Sequence, residues 1–201
     1  MKQLFVILSL CMATTAQAQA PQEPSPWQVA LTLNTDYIST SFGRNKGLWV
    51  TAKHQVAGQD AWRFHVGAAF QHHIIQESTS PFTHRVQGYT RDLGGYLLVD
   101  ATWHPFAGRR LFITLEHFAG YTRLQSEGSL TLPDYGLTQT YRHLYGYFNY
   151  GVANHIGYAV GPISVQAMVW SSLKGFWDGG RQRPGDFDSR ILAGVGIGYR
   201  F

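Results

Sequence analysis

The chain has 201 residues, 44% hydrophobic and 14% charged, with 22 Gly, 11 Tyr, 12 Phe, 6 Trp and a single Cys. It is too aromatic for a disordered chain, and one cysteine excludes a disulfide framework or a CxxC-type zinc site. Residues 4–13 form the one apolar helix-like run, against the roughly 20 residues a membrane-spanning helix needs. A formal charge of +4 and a mean hydropathy of -0.16 leave two classes, a soluble β protein and a membrane β-barrel.

Met1-Lys2-Gln3, the apolar stretch 4–12 and Ala16-Gln17-Ala18 form the three-part pattern of a secretory signal peptide. Residues 1–18 are therefore expected to be an address, cut after Ala18 rather than after Ala20, which precedes Pro21. Cys11 follows Leu10 where lipoprotein processing wants a small residue, so a lipid anchor is not expected. Residues 19–26 hold three prolines and read as a short extended lead-in. Residues 27–201 read as one domain.

From Trp27 onward the hydrophobic period is two, the mark of strands whose side chains point alternately to opposite faces. Trp27, Val29, Leu31 and Leu33 alternate with Gln28, Ala30, Thr32 and Asn34. A weaker alternation covers 48–56. Trp62, Phe64, Val66, Ala68 and Phe70 then oppose Arg63, His65, Gly67, Ala69 and Gln71. Leu97, Val99, Ala101 and Trp103 oppose Leu98, Asp100, Thr102 and His104. Leu111, Ile113, Leu115 and Ala119 oppose Phe112, Thr114, Glu116, Phe118 and Gly120, with His117 as a polar break in the apolar stripe. The run 144–158 is strand-like. Ile163, Val165, Ala167 and Val169 oppose Ser164, Gln166, Met168 and Trp170. Last, Ile191, Ala193, Val195, Ile197, Tyr199 and Phe201 oppose Arg190, Leu192, Gly194, Gly196, Gly198 and Arg200. This predicts eight strands of about ten residues, the length a tilted strand needs to cross hydrocarbon.

Short links at 57–61, 105–109 and 161–162 alternate with longer polar ones at 39–46, 76–92, 123–142 and 174–188. Transmembrane barrels have this asymmetry, short periplasmic turns against long outer loops. A secreted sandwich or lipocalin-like barrel would also alternate, with its apolar face inward. Here the face opposite the apolar one is rich in Gly and Ala, which suits the crowded interior of a narrow barrel. The ending Tyr199-Arg200-Phe201 resembles the signal by which the outer-membrane assembly machinery recognises its clients. The chain thus resembles the small eight-stranded outer-membrane barrels of the OmpA-transmembrane, OmpX and OmpW type. Its Gly-Val-Gly-Ile-Gly-Tyr-Arg-Phe ending is also similar to Bacteroidota barrels of the TraO type. The resemblance implies an all-β, eight-stranded antiparallel up-and-down barrel in a bacterial outer membrane, with loops outside and termini periplasmic.

An eight-stranded barrel is just wide enough for its own side chains to fill. The inward set includes Asp36, Lys53, Arg63, His65, Asp100, His104, Glu116, Arg190 and Arg200, and an ion-pair network is expected among them, because buried charges persist only when paired. The expected role is structural or surface-interacting, with a polar plug in the lumen. A narrow channel is the alternative and a lipid A-modifying enzyme the second. For the latter, no His-x-Ser pair occurs, and Asp188-Ser189 lies on the last strand's rim without a matching His. His72-His73 point to opposite faces and, with His84 and His143, read as polar rim residues; no metal or cofactor is expected. Trp27, Trp62, Trp103, Tyr199 and Phe201 are expected to form one aromatic girdle, and Tyr37, Tyr96, Tyr121, Tyr145 and Tyr147 the other. Basic loops containing Arg44, Lys46, Arg85, Arg91, Arg123, Arg142, Lys174, Arg181 and Arg183 suggest lipopolysaccharide phosphates as partner rather than nucleic acid. A monomer is the expected state.

Overall fold

A computed structural model describes residues 27–36, 44–79, 85–106, 108–172 and 191–201. Eight strands close on themselves, each paired antiparallel with its neighbours in sequence and β1 with β8. They are β1 (Trp27–Asp36), β2 (Arg44–Gln59), β3 (Trp62–Thr79), β4 (Arg85–Trp103), β5 (Leu111–Leu132), β6 (Leu137–Val160), β7 (Ile163–Ser172) and β8 (Ile191–Arg200). The expected eight-stranded up-and-down barrel is thus the architecture of the chain. Residues 1–26, read above as signal peptide and lead-in, lie outside the described residues.

Alternation decides which way each side chain points, as the period of two requires. The outward set is apolar: Leu97 is 75% exposed, Val195 67% and Val165 61%. Turned inward are Trp49, Leu98, Phe118, Met168, Trp170 and Leu192, all nearly inaccessible. Glycines make room for the inward rings. A Cβ on Gly151 would fall 2.1 Å from the Ser171 carbonyl and 2.7 Å from the Phe118 ring; one on Gly157 would fall 2.2 Å from the ring of Phe112. Aromatic rings therefore lie over bare backbone on the neighbouring strand. Phe118 also stacks on Trp170 at 5.4 Å and meets Tyr96 edge-on at 4.9 Å, making a slab across the lumen.

The ring is staggered. Stepping from register partner to partner, Trp27, His54, Val66, Val99, His117, Val152, Ser171 and Ile191, the path ends one residue before Leu192, the partner of Asp36. One circuit thus slips by about ten residues, and this offset tilts the strands against the barrel axis. One irregularity, a bulge at Val56, interrupts the pairing of β2 with β3 between Gln55 and Ala57.

The two ends differ, though not as expected from sequence. At one end the links are tight, with Asp60 (φ 48°), Arg109 (φ 51°) and Gly161 (φ 59°) in the left-handed region that closes such turns. At the other, the expected loops 76–92 and 123–142 are largely strand. β3 to β6 run for 18, 19, 22 and 24 residues rather than about ten, and β5 and β6 meet at a single 3-10 turn, Pro133–Tyr135. Polar residues that alternate, such as Gln125, Ser126, Glu127 and Gly128, look loop-like in composition, yet cross-strand pairing extends the ladder regardless. Arg44, Lys46, Arg85, Arg91, Arg123 and Arg142 accordingly lie on strands rather than in loops. The expected links at 39–46 and 174–188 lie wholly or mostly outside the described residues.

Gly151→Val is expected to lower stability by about 1–3 kcal/mol, because ring and backbone must both give way. Urea unfolding of the refolded barrel measures it, and an unchanged midpoint would refute the ring-over-glycine packing.

Candidate functional site

Many of the barrel's inward positions near the short turns are polar, and closure brings several of them into contact. Asp100 and Glu116 are direct cross-strand partners, an arrangement that places two carboxylates side by side. Lys53 resolves it by reaching across: its Nζ donates to Asp100 Oδ2 at 2.8 Å and to Glu116 Oε2 at 2.6 Å. His65 Nδ1 donates to Asp100 Oδ1 at 2.7 Å, and Thr102 Oγ1 donates to the same oxygen at 3.2 Å. Trp49 Nε1 donates to Glu116 Oε1 at 3.3 Å, while His155 Nε2 lies 3.6 Å from Glu116 Oε2. All six charged or ring-bearing members are buried. Among the described residues no group of three His, Cys, Asp or Glu side chains is arranged to hold a metal.

Of the nine inward residues singled out from sequence, Lys53, His65, Asp100 and Glu116 meet here. Arg63, His104 and Arg200 do not; they line the short-turn mouth. The Arg63 and Arg109 guanidiniums both donate to the Asp60 carbonyl, each at 3.2 Å. His104 shares a hydrogen bond at 3.1 Å with the Arg109 carbonyl, and Arg200 borders a cavity of about 20 Å³ with His65, Thr102, His104, Thr114 and Ser164. That volume holds about one water molecule. The side chains of Asp36 and Arg190 lie outside the described residues. Sequence reading missed His155 and Trp49, which sat in weakly alternating runs; extending the parity of Asn149 and Gly151 along β6 is the signal that finds His155.

A second polar layer lies further from the turns, and it corrects two readings. Tyr96, expected in an outer girdle, is 3% exposed. Its hydroxyl donates to Gln71 Oε1 at 3.0 Å and lies 2.6 Å from Thr122 Oγ1. The parity of β4 turns it inward, where Gly94 and Gly120 leave space for its ring. His73, expected at the rim, is buried between Gln71 (2.6 Å) and Asn34 (2.9 Å). Asn149 closes the layer, donating to Tyr96 and accepting from Ser172 Oγ at 2.6 Å. Tyr145 and Tyr147 share the inward parity of Asn149, so they do not belong to an outward girdle either.

On the outer wall, Trp27, Trp62, Trp103, Tyr199 and Phe201 gather at the short-turn end, Trp62 stacking on Trp103 at 6.3 Å. Some eight residues along the strands, Tyr121 and Phe148 stand outward as register partners, both more than half exposed. Beyond them come Arg123, Arg91 and Arg142, all exposed, and Arg91 lies 5.9 Å from the centre of the Tyr89 ring.

Comparisons with known proteins bear on the fold alone. No protein-family model matches the chain, and no curated protein does. Among solved structures it is similar to Neisserial surface protein A (13% identity, TM-score 0.47, covering 89% of this chain and 98% of that one). It is also similar to Ail, the attachment invasion locus protein of Yersinia pestis (9%, 0.46, 88% and 97%). A major outer membrane protein from Thermus thermophilus aligns over 87% of this chain and 99% of its own (13%, 0.48).

Lys53→Met leaves two buried carboxylates without a counter-charge and is expected to cost about 3–5 kcal/mol. Adding Asp100→Asn and Glu116→Gln should restore most of it; urea unfolding of single and triple variants checks both, and a silent single variant would refute the pairing. Burial holds the His104 imidazole below its ordinary value; its bond to Arg109 opposes this and the nearby Arg200 charge adds to it. A base depressed in the folded state contributes stability above about pH 6.5, its unfolded value, and loses it as pH falls. The fall in urea midpoint from pH 7.5 to 5 should therefore be smaller in His104→Asn than in the parent chain.

Proposed function

We propose that this chain is an integral β-barrel of a bacterial outer membrane with a structural or surface-interaction role, its lumen closed by its own side chains. The observation that carries this reading is the outer wall: an apolar band bounded by one aromatic row at the short turns and another at Tyr121 and Phe148. A band eight to ten residues tall, flanked by aromatics, suits a hydrocarbon core with a headgroup region on each side. Outside a membrane the same wall would be an apolar patch far larger than soluble monomers carry. In this reading the short turns face the periplasm and the β3–β6 hairpins project outward from the cell.

The plug rests on the two hydrogen-bonded layers around Lys53 and Tyr96 and the aromatic slab between them. In the first layer Lys53 pairs with both Asp100 and Glu116, which supports a lumen closed to ions. A narrow channel remains the second reading. A non-enzymatic role is favoured because Lys53 holds both acids, His65 and His155 face those acids, and all of them turn into the lumen, out of reach of lipid. Lipopolysaccharide is the proposed outer partner: Arg91 and Arg123 stand just beyond the Tyr121–Phe148 row, at the height of lipid phosphates, where guanidinium groups bind in bidentate fashion, while Arg142 lies further out on β6, 3.7 Å from Glu127. Tyr199 and Phe201, exposed at the end of β8, are the proposed contact for the assembly machinery; no cofactor or nucleic-acid partner is proposed.

Chain refolded into lipid vesicles should migrate faster on gels unheated than boiled, and should give no conductance steps in a planar bilayer. Conductance steps that vanish on Glu116→Gln would overturn the plug; chain that does not float with the vesicles would overturn the membrane reading.

A further inference from the structure

The apolar wall has one break. His117 on β5 and Asn154 on β6 both face outward, His117 exposed and Asn154 half-buried. His117 pairs with Val99 on one side and Val152 on the other, and the β5–β6 register is the same at Thr114–His155 as at His117–Val152, so no inserted residue accounts for it. His117 is the third of the five outward residues from Ile113 to Tyr121, at the middle of the band. The other outward polar residues are nearer its edges: His54 packs against Trp27 with ring centres 4.9 Å apart, and His72 is the register partner of Leu93. Among the described residues neither His117 nor Asn154 has a hydrogen-bond partner. In hydrocarbon an unsatisfied polar group is costly, and polar side chains at that depth are rarely turned to lipid.

The stagger of the ring brings the two groups level. One circuit slips by about ten residues over eight strands, so the point on β6 at the depth of a β5 residue lies just over one residue from its register partner, toward the short turns. For His117, whose partner is Val152, that point falls next to Asn154. The pair therefore sits side by side at one depth, flanked by Leu115, Ala119, Val152 and Ile156.

We propose that the β5–β6 wall is a contact between two copies of this chain, with His117 of each hydrogen-bonded to Asn154 of the other. A reciprocal contact between two copies inserted the same way requires a two-fold axis along the membrane normal. Such an axis preserves depth and exchanges left for right, and so sets His117 opposite the second copy's Asn154, twice over. The chemistry is self-complementary: an imidazole offers a ring N–H and a ring lone pair, a carboxamide two N–H groups and a carbonyl. A lipid tail can offer neither donor nor acceptor, and Ala119 with the aliphatic neighbours allows close approach. This inference rests on the membrane reading above and replaces the monomer expected from sequence.

The test uses chain purified from membranes in mild detergent and returned to vesicles. A benzophenone cross-linker at Val152 should join two copies, while one at Leu31, on the far wall, should not. In sedimentation equilibrium, the His117→Leu/Asn154→Leu variant should dissociate about tenfold more readily, the scale of two lost hydrogen-bonded pairs in a membrane. Its heat-modified gel migration should remain that of the folded barrel. A monomer in vesicles that float, a Val152 cross-link to some other protein, or a dimer untouched by the double variant would each overturn the inference alone. Chain that fails to float would overturn the membrane reading together with it.

Discussion

Everything in this molecule follows from closing a sheet into a ring of eight strands. Closure gives every strand a hydrogen-bonded neighbour on both sides around the ring, and among the described residues only extensions beyond the ring, such as 137–150 of β6, pair on one side. It also divides the side chains by parity into two environments with opposite demands. The outward set meets whatever surrounds the barrel and is mostly apolar. The inward set must fill a narrow tube without voids, and it does so with large rings laid over glycine.

The narrowness has an electrostatic consequence. Glu116 and Asp100 are forced side by side by register, and a lumen with so little room for water cannot screen them. Lys53 is placed across from both, and its ammonium takes the one position that neutralises the pair while His65, Thr102 and Trp49 satisfy the remaining oxygens. Such a group adds little net stability over an apolar filling of equal shape, but it permits one register only. The upper layer around Tyr96, Gln71 and His73 acts in the same sense with neutral groups, and the aromatic slab keeps the two layers apart.

The barrel is lopsided along its axis. On β1, β7 and β8 the strands are ten residues long, while β3 to β6 carry on for up to 24. The added length is richer in polar residues, with pairs such as Thr90 and Ser126 at 3.0 Å and the Tyr89–Glu127 hydrogen bond, although Leu137 and Leu144 are exposed on it. This part is a hairpin extension rising from an apolar-faced wall. Arg91 and Arg123 mark where one becomes the other.

Strand count, the outward and inward sets, and the aromatic row at the short turns were legible in the residues, because a period of two is a local property and closure does not change it. The Lys53, His65, Asp100 and Glu116 positions were legible as inward charges for the same reason. Their company was not. His155 and Trp49 join them, and Arg63 and Arg200 stay at the mouth, because contact across a barrel depends on stagger and side-chain reach, which no single strand contains. Parity would have put Tyr96 inside, but its chemistry suggested a girdle, and the space that Gly120 on the neighbouring strand leaves for its ring emerges only once the strands are paired. The long hairpins were hidden by polar composition, since pairing rather than hydrophobicity holds a ladder together in water. The amino-acid sequence determined which face each side chain takes; the closed, staggered ring decided which of them meet.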